Sequence, residues 1–142
     1  MPSITGYLCP TLTVTDRDRS ADWYRELFDM QTRRENVAAD GRLRDVCLVE
    51  PNSGLEIALV EYATGSRDPF DEFHPGLDHL EFLVANRSDL DEWASRLDAL
   101  GIPNSGIKEP YYTRNAMITF RDPDNIQLEF FWLAPRDDGG DS

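Results

Sequence analysis

Gly6-Tyr7-Leu8-Cys9-Pro10-Thr11-Leu12-Thr13-Val14-Thr15-Asp16 aligns without gaps on Gly76-Leu77-Asp78-His79-Leu80-Glu81-Phe82-Leu83-Val84-Ala85-Asn86, at an offset of 76 − 6 = 70. The offset continues through the pairs Arg17/Arg87, Trp23/Trp93 and Leu27/Leu97. Further on, Glu50-Pro51 and Gly54-Leu55-Glu56-Ile57 echo Asp122-Pro123 and Gln127-Leu128-Glu129-Phe130, where the offset reads 129 − 56 = 73. Self-similarity that admits insertions only at turns marks a duplicated structural unit. Eleven ungapped positions together with the paired tryptophans make chance matching the poorer account.

Periodicity supplies the elements of each copy. Leu80, Phe82 and Val84 alternate with His79 and Glu81, and Pro10, Leu12 and Val14 alternate with Cys9, Thr11 and Thr13, so both stretches read as strands with one face against a helix. Ser20–Phe28 carries Trp23, Tyr24, Leu27 and Phe28, and Ser88–Leu100 carries Leu90, Trp93, Ala94, Leu97 and Leu100, the spacing of amphipathic helices. Asp16 or Ser20, and Asn86 or Ser88, are candidate N-caps, and Gly101 with Pro103 ends the second helix. Three strands are expected after the first helix, near Thr32–Val37, Leu43–Val49 and Gly54–Tyr62. Three follow the second, near Ile107–Tyr112, Ala116–Phe120 and Ile126–Leu133, with turns at Asp40-Gly41, at 51–54 and at 122–125. The predicted architecture is α+β: two tandem βαβββ modules over 1–62 and 76–135, a linker rich in Gly, Pro and Asp over 63–75, and a frayed tail over 136–142.

Composition narrows the function. A net charge of −13, with no basic run to offset it, argues against a nucleic-acid partner. No basic and apolar leader opens the chain and no apolar run reaches the roughly 20 residues that span a bilayer, so a cytoplasmic location away from membranes is expected. Cys9 and Cys47 make no disulfide framework.

Strand parity then locates the chemistry. Glu56 alternates with Leu55, Ile57 and Leu59, and Glu129 alternates with Leu128 and Phe130, so both carboxylates, like Cys9 and His79, point away from the helix-packed faces. Two curved sheets facing each other would gather Cys9, Glu56, His79 and Glu129 around one cavity. Glu81 shares the face of His79, and Phe131 shares that of Glu129, while Tyr112 and Arg114 precede the penultimate strand, where they offer an aromatic wall and a cation for an anionic group. His74, flanked by Pro75, reads as a solvated linker residue.

At this point the chain resembles the vicinal-oxygen-chelate superfamily, which includes glyoxalase I, bleomycin-resistance proteins and extradiol dioxygenases. The stretches Cys9–Asp16 and His79–Asn86 are similar to its first-strand pattern, and Asp122-Pro-Asp-Asn-Ile-Gln-Leu-Glu129 closely matches its closing motif. The resemblance implies the glyoxalase/bleomycin-resistance fold and carries Glu56, His79 and Glu129 over as ligands of a divalent ion, Zn, Ni, Mn or Fe. The first-strand ligand, usually His or Gln in that family, is here Cys9. Three readings of it stand open: a thiolate ligand, a position taken by water on a three-ligand ion, or a site without metal.

What the resemblance implies about function is a metal-dependent lyase or isomerase that stabilises an enolate or oxyanion on a substrate with vicinal oxygens, Glu56 or Glu129 acting as general base. Thr11 and Thr13 line the same inferred pocket. Thr13 stands where glutathione-dependent glyoxalases carry Arg, which counts against that activity; a single His at a ligand position counts against an extradiol dioxygenase. The alternative is a metal-free sequestration protein of the bleomycin-resistance kind, to which the acidic charge is suited. Relatives of this size pair their modules across chains, so a homodimer binding a small molecule is expected.

Overall fold

Leu12 and Val14, set two apart, turn one side of a short strand inward, and both are almost fully buried. The computed structural model describes Met1–Arg136, and in it this strand is β1 (Thr11–Thr13). The expected frayed tail over 136–142 falls, apart from Arg136, outside the described residues. The chain divides into two units between Phe70 and Asp71.

In the first unit β1 leads to α1 (Arg17–Phe28), then β2 (Gln31–Val37), β3 (Leu43–Val49) and β4 (Glu56–Tyr62). The strands are ordered β1-β4-β3-β2, with β1 parallel to β4 and the other pairs antiparallel. α1 begins three residues before the expected start because Asp16, in extended conformation, accepts the Arg19 backbone N–H and caps the first turn. Tyr24 and Leu27 on its inner face, with Leu48, Ile57 and Leu59 on the sheet, are wholly buried. Burial of each such side chain stabilises by about 1.5–3 kcal/mol. Glu61, on the same β4 face as Ile57 and Leu59, accepts the Arg17 backbone N–H and binds the Arg44 guanidinium, satisfying a donor at the helix start.

The second unit runs β5 (His79–Val84), α2 (Asp89–Ala99), β6 (Ala116–Arg121) and β7 (Gln127–Trp132), with strand order β5-β7-β6 and β5 parallel to β7. Its core forms where Phe130 of β7 stacks on Trp93 of α2 at 4.1 Å and on Phe120 of β6 at 4.9 Å between ring centroids. Leu90 and Leu97 of α2 close over it. Gly101, at φ 67°, ends the helix as the sequence suggested. Among the described residues, no helix is long and apolar enough to cross a membrane.

Two local expectations need correction. The strand expected near Ile107–Tyr112 does not form: only isolated bridges, Asn104 with Phe120 and Lys108 with Met117, lie along β6. Pro110 lacks a backbone donor and its carbonyl accepts the Thr113 N–H in a turn, so the ladder stops there. Ser88, one of the two expected candidates, is the N-cap of α2 but its side chain makes no cap hydrogen bond; Asp89 instead reaches back to accept the Asn86 backbone N–H.

One surface ion pair in this unit has a measurable signature. Arg121 donates to both carboxylate oxygens of Glu72, and this contact, followed by the residue's own backbone N–H, lowers the Glu72 pKa from 4.5 to about 2. A depressed carboxylate contributes stability that is fully present above pH 4.5 and is lost as pH falls through about 2. The Glu72 carboxyl carbon is expected to titrate near pH 2 by NMR and to move up toward 4.5 in Arg121→Gln. A wild-type midpoint near 4.5 would show that the pair does not form in solution.

Candidate metal centre

The parallel ladder between β5 and β7 pairs His79 with Gln127, Glu81 with Glu129 and Leu83 with Phe131. The antiparallel ladder between β6 and β7 adds Arg121, Thr119 and Met117 to those three rows in turn. Residues paired across a sheet share a face, so these nine side chains occupy the face opposite Phe82, Phe130 and α2.

On this face His79, Glu81 and Glu129 each offer a ligand atom, and the three atoms lie within 4.8 Å of one another. No other group of three or more His, Cys, Asp or Glu so placed occurs among the described residues. Glu129 is buried, with Gln127 Nε2 donating to its Oε1 at 2.9 Å. Glu81 is about half exposed, with 52% of its side-chain surface accessible. His79 Nε2 lies 3.0 Å from Glu81 Oε1, and its Nδ1 lies 2.6 Å from Asp78 Oδ1. These hydrogen bonds, Glu81 first and Asp78 second, raise the His79 pKa above its ordinary value against the opposing effect of partial burial. The imidazole is thus held by carboxylates on both nitrogens, Asp78 at Nδ1 and Glu81 at Nε2.

The donor set fits a divalent ion. One imidazole nitrogen and two carboxylates suit Mn, Fe or Zn, and a carboxylate on the non-ligating nitrogen is the usual second-layer partner of a metal-bound histidine. The same contacts favour the protonated imidazole, so an entering ion would compete with protons for the His79 nitrogen.

The first unit carries the other expected residues, and its ladder revises their equivalence. Thr11 pairs with Ala58 as Glu81 pairs with Glu129, so by register the match to Glu129 is Ala58, at 129 − 58 = 71 rather than 73. Glu56 corresponds to Gln127, and Cys9, two residues before Thr11, to His79. The misalignment has a plain origin: Gly-Leu-Glu-Ile and Gln-Leu-Glu-Phe look alike as strings, whereas hydrogen-bond register decides which side chains are neighbours. Glu56 is engaged within its own unit, ion-paired with Arg33 and accepting from the Cys47 thiol at 3.7 Å. Cys9 is half-buried, and Thr11 and Thr13 are exposed on the face of β1 opposite Leu12.

Of the remaining expected contacts, Phe131 is half-buried on the cluster's face, two residues from Glu129. Tyr112 is exposed and packs edge-on against Tyr111 in the turn before β6, and Arg114 is exposed nearby. Sequence reasoning placed Glu81 on the face of His79 without making it a ligand; that shared parity was the signal that it completes the cluster. It missed Asp78 and Gln127, whose roles depend on which atoms they reach. It also missed a groove of about 310 Å³ whose lining includes Ser105, Thr119, Arg121 and Gln127.

A duplicated α+β fold with a histidine–carboxylate cluster on one sheet face defines the class. The model of the Glyoxalase/Bleomycin resistance protein/Dioxygenase superfamily matches residues 6–130, and the chain belongs to that family. Among solved structures, a glyoxylase/bleomycin resistance protein/dioxygenase domain from Frankia sp. EAN1pec is 35% identical, with 96% of each chain covered and a TM-score of 0.83. A glyoxalase family protein from Enterococcus faecalis is 20% identical, covering 89% of this chain and 97% of that one at a TM-score of 0.75. The fosfomycin resistance protein FosX from Listeria monocytogenes, complexed with Mn(II) and sulfate, is 20% identical, with 93% and 95% covered and a TM-score of 0.65. No curated protein matches the chain.

Proposed function

We propose that this protein is a divalent-metal-dependent enzyme of the lyase or isomerase type, acting on a small molecule with adjacent oxygens. The observation that carries the reading is the convergence of His79, Glu81 and Glu129 ligand atoms within 4.8 Å. The FosX structures support it by likeness of fold; one of them holds Mn(II) with 1S,2S-dihydroxypropylphosphonic acid, a molecule with neighbouring hydroxyls.

A bound divalent ion would supply Lewis-acid polarisation of the substrate oxygens. The remaining work falls to side chains. Asp78 keeps His79 in the orientation that presents Nε2, and Gln127 holds the buried Glu129 carboxylate in place. Glu81 has the exposure to turn toward a substrate and accept a proton next to its carbonyl.

The metal-free sequestration reading draws on a different observation: both nitrogens of His79 already meet carboxylates, so the cluster is satisfied without an ion. Calorimetric titration of chelator-treated protein with MnCl₂ separates the two. One equivalent of Mn²⁺ bound with a micromolar or tighter Kd is expected (on the order of −8 kcal/mol or better). Absence of saturable binding would sink the metal reading and leave sequestration.

A further inference from the structure

The rows on the cluster's face change character along the strands. His79, Gln127 and Arg121 make a polar row, and Glu81, Glu129 and Thr119 make the row of the carboxylates. The next row is Leu83, Phe131 and Met117, entirely apolar. Leu83 is 73% exposed, while Phe131 and Met117 are half-buried. A large aliphatic side chain left in water beside the polar rows of this face has no folding rationale in its own strand, where Leu80 and Phe82 supply the inward contacts. Rows two residues apart along a strand are separated by about 6.6 Å, the span from a chelating pair of oxygens to the first ring or branched chain attached to them.

From this juxtaposition we infer that the site selects ligands whose adjacent oxygens carry an apolar substituent, which lies over Leu83, Phe131 and Met117. The inference rests on the metal reading above and adds the substrate class to it. It commits the apolar row to a ligand's own substituent because the row continues directly from the donors, with no polar residue between them on β5, β7 or β6. The acidic surroundings, Asp78, Glu81 and Glu129, add a preference for substituents without negative charge.

Two hydroxamates test it, since each presents the same vicinal oxygen pair and they differ only in the attached group. Mn²⁺-loaded protein is titrated with acetohydroxamate and with benzohydroxamate by calorimetry. Benzohydroxamate is expected to bind at least about tenfold tighter, in keeping with the apolar area a phenyl ring removes from water. In Leu83→Ser the benzohydroxamate advantage is expected to shrink to about threefold or less, with both hydroxamates still binding the Mn²⁺-loaded protein. Because Leu83 is exposed, the substitution leaves the core intact, and circular dichroism melting of the variant checks this. Equal affinities of the wild type for the two hydroxamates would overturn the inference while leaving the metal centre standing. It is overturned equally if Leu83→Ser leaves the preference intact, or if the substitution alters the sedimentation mass instead, which would assign the row to a second copy of the chain. Failure of Mn²⁺ itself to bind would remove the centre and the inference together.

Discussion

Glu129→Gln is expected to weaken Mn²⁺ binding by more than about 100-fold, beyond the roughly 10–100-fold cost of losing a second-layer partner of a metal ligand. The substitution keeps the shape and the hydrogen bond from Gln127 within reach, and removes only the charge at the one buried carboxylate of the cluster. An amide oxygen is a weak ligand for a divalent ion, and a buried anion is worth more to a cation than an exposed one. His79→Ala should have an effect of the same size by deleting the nitrogen donor. The informative control is Glu56→Gln. String similarity makes Glu56 the twin of Glu129, but by ladder register its equivalent in the second unit is Gln127, and its carboxylate is already paired with Arg33. Calorimetry should find Glu56→Gln within about threefold of wild type. A loss comparable to that of Glu129→Gln would reinstate Glu56 as a ligand and overturn the register argument.

Phe130→Ala is expected to destabilise the protein by about 3–5 kcal/mol, the usual cost of truncating a buried aromatic. Phe130 is 1% exposed, sits on the central strand of its three-stranded sheet, and touches aromatic rings from α2, β5 and β6. Its loss leaves Trp93, Phe120 and Phe82 facing one void. Phe130→Leu, which keeps most of the volume, should cost no more than about 2 kcal/mol. Urea unfolding followed by Trp fluorescence measures both. A cost under about 1 kcal/mol for the alanine variant would mean that the second unit's core relaxes freely. The consequence would reach the site, since Phe130 adjoins Glu129 on the same strand.

The cluster and the core thus share β7, one face each, and this alternation is legible in the sequence. Leu128 and Phe130 against Gln127, Glu129 and Phe131 is a period of two, and a strand with that pattern has no other way to satisfy both sets. The same reasoning put His79 on the side of Glu129, and the duplicated helix pattern around Trp23 and Trp93 identified what packs behind each sheet. These features are local: they follow from side-chain polarity and backbone geometry within ten residues.

What required the tertiary structure was every property that joins residues distant in the chain. Register is one: a slip of two residues preserves the face of every side chain, so parity could not distinguish Ala58 from Glu56 as the partner of Thr11, and only the hydrogen-bond ladder did. The lost strand near Ile107 is another, because apolar and aromatic residues there satisfied strand composition while Pro110 and the turn to Thr113 withheld the donors a ladder needs. The roles of Asp78 and Gln127, by contrast, join near neighbours in the chain and are set by side-chain conformation, through 2.6 and 2.9 Å contacts that no spacing rule encodes. The amino-acid sequence by itself determined the family, the elements and the side of the sheet on which chemistry lies, since period and polarity act over a few residues. The tertiary structure decided which three donors meet, because that depends on how separate strands are aligned.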